Sequence, residues 1–519
     1  MTIADTTQGK IEGTAEHGVH RFLGIPYAAP VSGSGRFLPP KPATPWTGVR
    51  QAVAPGPIAP QFAVPGRKPL AEPAEDCLFL NVWTPGITGE RPVLVWIHGG
   101  GFFTGTGYAA HTAGAALAGS EDVVVVSLNH RLGLLGFLHL TELGGADWGF
   151  EANPSILDLV AALEWVRDNI AGFGGDPSRV TIFGHSGGGG KVTSLLTSPA
   201  ARGLFSRAGV LGGPPFGLKD AGRATLIAER ALRMLDLDRA DPTALQNLPL
   251  DRLLDVQARL GVGREPTEHS MRFAPVVGTP SVPAYPDEAL AVGVAADVPL
   301  LTGTTLDEAR FMLATHPRWL DPGVDIDDAA VVGLVAAGVD DTSAADGIVA
   351  GYRARRAHGG GRNVDLVMDV LSDQFTVRTA RLADAHRAGG GPVHSYLCDL
   401  NRAEPLGAFH GIEIPVFFRN VGLGPIPAAG PAFDRAAAAM GGALAAFACT
   451  GDPNEGLAAA GVDWPAYEPT ARTQLRFGDD GFEATSRIVD DRVGWWRGVS
   501  TSGRTDPWGR AFAATAAAG

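Results

Sequence analysis

Uninterrupted apolar runs alternate along the chain with stretches whose apolar residues recur every three or four positions. Val93-Leu94-Val95-Trp96-Ile97 and Val123-Val124-Val125-Val126 contain no polar residue, the pattern of strands covered on both faces. Ile156, Leu159, Val160, Leu163, Val166 and Ile170 fall at helical steps and predict an amphipathic helix, ended by Gly172 to Asp176. Arg179 to Phe183 then reads as a strand and Lys191 to Leu196 as the body of a helix. Strands alternating with helices in this way predict an α/β fold, a mostly parallel sheet with helices on both faces. In such sheets ligands bind beyond the carboxyl ends of the strands.

From about 216 to 272 the pattern turns helical and charged, with no clear buried strand, which predicts a helical insertion over the sheet edge. Val298-Pro299-Leu300-Leu301-Thr302-Gly303 resumes the sheet. Residues 306–388 are again mostly helical, with Gly359-Gly360-Gly361 as a loop, and Val393 to Leu397 supplies one more strand. The longest apolar run, Ala436 to Cys449, holds two glycines and falls short of the ~20 residues that span a bilayer. It predicts a core helix. No internal repeat is present.

Size and composition narrow the class. At 519 residues the chain exceeds the usual single core, so one large core with insertions, or two closely packed lobes, is expected. A net charge of −13 without a Lys/Arg-rich segment argues against nucleic acid and anionic membrane surfaces as partners. Cys77, Cys398 and Cys449 are too few and too scattered for a disulfide framework or a zinc site, and are expected as small reduced hydrophobes. The first residues lack a basic segment followed by an apolar one, so the cytoplasm is the expected compartment.

The candidate chemistry lies at one predicted strand-to-helix junction, Phe183-Gly184-His185-Ser186-Gly187-Gly188. A Gly-x-Ser-x-Gly turn there exposes the serine hydroxyl beside a helix N-terminus, the arrangement of an activated nucleophile. With 70 glycines in the chain such a match arises easily by chance, so context carries the weight. Upstream, His98-Gly99-Gly100-Gly101-Phe102 directly follows the strand Val93–Ile97. A glycine run at a strand end lets backbone N–H groups approach a ligand closely, as an oxyanion hole requires. Gly100, Gly101 and Gly187 are therefore the expected oxyanion donors. A phosphate loop at Gly188-Gly189-Gly190-Lys191-Val192 is disfavoured, because His185 takes the first glycine's place and Val192 that of the Ser/Thr.

Together with these motifs, Phe22-Leu23-Gly24-Ile25-Pro26-Tyr27-Ala28, Glu75-Asp76-Cys77-Leu78-Phe79-Leu80-Asn81-Val82, Asn129-His130-Arg131-Leu132, Phe173-Gly174-Gly175-Asp176-Pro177 and Trp464-Pro465-Ala466-Tyr467 resemble landmarks of a known family. It is the type-B carboxylesterases of the α/β-hydrolase fold, which include para-nitrobenzyl esterases and cholinesterases. The resemblance covers nearly the whole chain and implies a single domain over 1–519, with helical insertions at about 216–272 and 306–388. It also implies the remaining catalytic residues: Glu308, in Gly303-Thr304-Thr305-Leu306-Asp307-Glu308, and His410, in His410-Gly411-Ile412-Glu413. The order Ser, Glu, His is that of an α/β-hydrolase.

The chain departs from the family pattern in four places. His185 stands where a glutamate usually precedes the nucleophile, and Leu211-Gly212-Gly213 puts glycine where a supporting serine is usual. Either His185 interacts with Glu413, replacing a carboxylate pair by an attractive one, or it only packs at the turn. Cys77 has no upstream cysteine to bridge, and the tryptophan platform for quaternary ammonium groups is missing, so choline esters are not expected.

The implied reaction is hydrolysis of a small-molecule carboxylic ester through an acyl-enzyme, with no metal and no organic cofactor. Carbamates or amides are alternatives on the same machinery, and a non-catalytic binding protein of the same fold is a remote one. Phe102, Phe103 and Phe311 either line an apolar substrate pocket or fill core.

Overall fold

The computed structural model describes residues 1–61, 71–214, 217–238, 241–261, 273–311, 313, 317–338, 342–356, 361–401, 404–424, 426, 428–486 and 496. In chain order the strands are β1 (Thr2–Thr6), β2 (Gly9–Glu16), β3 (Val19–Pro26), β4 (Val49–Gln51), β5 (Phe79–Thr84), β6 (Arg91–Ile97), β7 (Val124–Leu128), β8 (Gly175–His185), β9 (Arg207–Leu211), β10 (Lys219–Asp220), β11 (Val276–Val277), β12 (Leu300–Thr305), β13 (Val393–Asp399), β14 (Gln474–Gly478) and β15 (Gly481–Thr485). Thirteen of them form one sheet in the order β1-β2-β3-β5-β7-β6-β8-β9-β12-β13-β14-β15, with β4 alongside β2. Neighbours from β7 through β14 are parallel. Pairing is antiparallel from β1 to β7 through β2, β3 and β5, and again between β14 and β15.

The continuous apolar runs become interior strands because both faces of the sheet are covered. Successive side chains point to opposite faces, so each run feeds two separate cores. Val93, Val95 and Ile97 of β6, with Val124, Val126 and Leu128 of β7, join the core beneath the helix Pro154–Asn169. Leu94, Trp96 and Val125 join the other, which holds Met440, Leu444 and Phe447 of the helix Pro431–Thr450. That helix is the long apolar run, and it packs within the protein. No helix among the described residues is long and apolar enough to cross a membrane.

Between 216 and 272 the described residues form helices Ala221–Met234 and Leu250–Gly261, while 216, 239–240 and 262–272 lie outside them. The short strand β10 in this stretch pairs in parallel with β11; two residues are too few to leave an alternation in the sequence. Beyond β12, the helices Asp328–Gly338, Ala345–Arg356 and Asn363–Ala388 pack around a third core containing Val331, Ile348, Met368 and Leu371. Gly359 and Gly360 of the expected loop lie outside the described residues. Cys77 and Cys398 are buried, Cys449 is half-buried, and all three are free thiols.

Candidate active site

The strand β8 runs between β6 and β9 in the middle of the sheet and ends at His185. Ser186 follows with φ 57° and ψ −125°, a conformation that L-residues rarely hold without surrounding constraint. Packing supplies the constraint. A Cβ on Gly99 would lie 2.6 Å from the His185 carbonyl oxygen, and one on Gly188 would lie 2.1 Å from that of Ile97. The ends of β6 and β8 and the start of the helix Gly187–Thr197 thus meet backbone to backbone. Side chains at those glycines would prise the turn open.

Three strand ends deliver the expected residues to one place. Ser186 follows β8, Glu308 lies three residues past the end of β12, and His410 is carried on the loop after β13. Glu308 is fully buried. Its Oε1 accepts from the Thr305 N–H at 2.9 Å, and its Oε2 is hydrogen-bonded to His410 Nδ1. His410 sits beside His185, the residue preceding Ser186, with ring centroids 4.3 Å apart. The rings of Phe311 and Phe375 flank it at 5.4 and 5.3 Å. Ser186 is half-buried, and its Oγ makes no hydrogen bond among the described residues.

After β6, Gly100 (φ 99°) and Gly101 (φ 60°) turn the chain sharply. Among the described residues the N–H groups of Gly100, Gly101 and Gly187 have no backbone acceptor. Gly187 faces this loop, since a Cβ there would stand 2.9 Å from Gly101 N and 3.0 Å from Phe102 N. Unbonded amides from two elements therefore converge next to Ser186.

A cleft of about 650 Å³ opens here, lined by His98, Gly100, His185, Phe311, Phe409, His410, Ile412 and Ile414 among others. Of the three expected pocket aromatics, Phe311 lines it and the other two do not. Phe102 instead packs into the core against Phe137, with ring centroids 5.9 Å apart, because its φ of 69° turns the side chain inward. Phe103 lies over the glycine turn after β6, its Cε1 2.7 Å from where a Cβ on Gly101 would be. Among the described residues no group of three His, Cys, Asp or Glu side chains is placed to hold a metal ion.

His185 Nε2 lies 3.9 Å from Glu413 Oε1 and has no hydrogen-bond partner among the described residues. Burial, then the neighbouring His410 and His111, hold the His185 imidazole well below its ordinary range. Burial, then the charge of Glu308, push the Glu413 carboxyl up to about 8, and Tyr396 Oη donates to its Oε1 at 3.2 Å. Both shifts run towards the uncharged forms, a neutral imidazole and a carboxylic acid, and so oppose an ion pair between them.

Two features escaped the motif reading. Asp307, the residue before Glu308, accepts from the Ala408 N–H at 3.0 Å, while its own N–H donates to the Ala408 carbonyl at 3.0 Å. These two bonds pin the His410 loop to the turn that carries Glu308. Lys191, on the helix Gly187–Thr197, is fully buried behind the glycine loop. The signal for Asp307 was the paired acids after a strand. That for Lys191 was a lysine in a helix with no other charged residue.

Comparison with known proteins agrees with this architecture. The chain is 36% identical over 515 residues to the phenmedipham hydrolase of Pseudarthrobacter oxydans, covering 94% of this chain and 97% of that one. It is 33% identical over 482 residues to the para-nitrobenzyl esterase of Bacillus subtilis strain 168, covering 91% and 94%. The solved carboxylesterase of Geobacillus stearothermophilus superposes with a TM-score of 0.82 at 33% identity, over 96% of this chain and all of the other. Residues 1–496 carry the signature of the Carboxylesterase family. The chain belongs to that family and is a serine hydrolase of carboxylic esters on the α/β-hydrolase fold.

Proposed function

We propose that Ser186, His410 and Glu308 form the catalytic triad of this esterase, with the N–H groups of Gly100, Gly101 and Gly187 as its oxyanion hole. Ser186 Oγ attacks the ester carbonyl as His410 Nε2 takes its proton. Glu308, bonded at Nδ1, keeps the proton on that nitrogen and stabilises the imidazolium. The carbonyl electron pair moves onto oxygen, where each amide contributes a factor of ~10² to 10³ in rate. The proton passes to the departing alcohol, and water activated by His410 then releases the acid from the acyl-enzyme.

The Glu308–His410 bond, with His410 packed beside the residue that precedes a strained serine, carries this reading. The Ser186–His410 bond is open, as catalytic hydrogen bonds often are before substrate arrives. Ser186→Ala is expected to lower kcat on a para-nitrophenyl ester by ~10⁴-fold or more; retained activity would overturn the assignment.

The apolar lining of the cleft favours an ester with an apolar acyl or alcohol group of small to medium size. Para-nitrophenyl esters of rising chain length test this, and equal kcat/KM across the series would count against it. A relative named phenmedipham hydrolase supports including phenmedipham beside them, with a carbamate and an amide as controls. The cytoplasm belongs to the same proposal, on three cysteines left as thiols; cell fractionation checks it.

A further inference from the structure

Lys191 is fully buried, and among the described residues it faces no carboxylate within ion-pair distance. Its Nζ donates to the His98 carbonyl at 3.2 Å and lies 5.7 Å from the centroid of the Phe102 ring. His98 precedes Gly99 and Phe102 follows Gly101, so the amine touches both ends of the glycine turn. Burying an ammonium without a counter-ion is costly. A side chain needed only for packing would be met better by methionine or leucine.

The surrounding groups leave that charge uncompensated. His98 and His130 stack with ring centroids 4.6 Å apart, and burial with the nearby Lys191 keeps both imidazoles neutral. Next to His130, Arg131 is closed on Asp158 at 2.6 Å. On the helix itself, the Thr193 and Ser194 hydroxyls donate to the Gly190 carbonyl. Across the packed helix Pro286–Ala291, Glu288 is exposed and Asp287 half-buried. Burial pulls the Lys191 amine down from 10.5 to about 7, so its charge changes within the range where an esterase is assayed.

We propose that Lys191 is a positioning residue of the reaction at Ser186: gripping the His98 carbonyl and the Phe102 ring, its ammonium holds the Gly99–Gly101 turn in register and places a positive charge behind the developing oxyanion. The inference rests on the oxyanion hole proposed above. It assigns no covalent role to the amine. The ammonium acts on the glycine turn and on charge that exists only once the Ser186 Oγ–carbonyl bond forms, so it favours the transition state over bound substrate.

The test is Lys191→Met, which keeps the length of the side chain and removes the donor and the charge. With a para-nitrophenyl ester at pH 6, kcat is expected to fall ~10- to 100-fold with KM nearly unchanged. The ammonium is present below about pH 7 and lost as pH rises through it, so the ratio of wild-type to variant kcat should shrink towards pH 9. The melting temperature should be equal or higher, because the variant sheds a buried unpaired amine. Wild-type kcat in the variant, a ratio independent of pH, or a loss of kcat that tracks a loss of melting temperature would each overturn the proposal. If Lys191→Met does not fold, Lys191→Gln is measured in the same way. Ser186→Ala separates the two levels: activity surviving in it sinks the triad itself, whereas an inactive Ser186→Ala beside an unaffected Lys191→Met sinks only the role of Lys191.

Discussion

His185 and Gly212 are one steric solution. Gly212 has a φ of +49°, and a Cβ there would lie 3.0 Å from His185 Nε2 and 3.2 Å from Glu308 Oε1. The imidazole occupies the space a side chain at 212 would need, so the two departures from the family pattern belong together. Gly212→Ala is expected to cost ~1–3 kcal/mol of stability and part of the activity. His185→Ala should relieve part of that cost, with a coupling of at least ~0.5 kcal/mol in a double-mutant cycle followed by urea unfolding. Additive effects would mean that the strained φ alone excludes a side chain. At this scale the sequence was only partly legible. The motif around Ser186 carries its own physical reason, whereas nothing local marks His410 among 13 histidines; its neighbours in the motif did. The neutral meeting of His185 with Glu413 depends on burial, which no local pattern records.

At the scale of elements, the acid turn after β12 and the histidine loop after β13 act as one piece. The link is Asp307, bonded in both directions to Ala408, with Gly407 leaving room for it: a Cβ there would lie 2.3 Å from Asp307 Oδ2. Loosening this link should misplace the imidazole without unfolding the sheet. Asp307→Ala is expected to lower kcat about 10-fold with a smaller change in KM, which steady-state kinetics beside a thermal melt would resolve. An unchanged kcat would show that the Glu308–His410 bond positions the loop unaided. The central strands were legible because burial on both faces writes a continuous apolar run. The antiparallel flank was harder to read, since β2 buries only Ile11 and Gly13 and so leaves no apolar alternation in the sequence. The loops lining the cleft carry no periodicity at all.

At the scale of the whole molecule, the buried carboxyl of Glu413 couples stability to pH. Its acid form is retained in the folded protein up to about pH 8, whereas in the unfolded chain it ionises near the ordinary ~4.3. Between these values the unfolded state binds fewer protons, so stability falls as pH rises, and the loss is complete above about pH 8. Glu413→Gln keeps the shape without the proton. Its melting temperature relative to wild type should therefore increase from pH 5 to pH 8, by ~1–3 °C. A difference that stays constant with pH would mean that Glu413 is already ionised in the fold.

The sequence by itself determined the layered α/β architecture, the strand-to-helix turn that carries Ser186 and the glycine run after the neighbouring strand. Hydrophobic periodicity and backbone sterics act over a few residues, and each of these features is written within such a span. Tertiary structure alone decided which of the aromatics reaches the cleft, how Asp307 joins two loops, and that Lys191 lies behind the amides without a counter-ion among the described residues. Those outcomes depend on which surfaces are shut away from water and on what stands opposite them, which is settled by segments far apart along the chain.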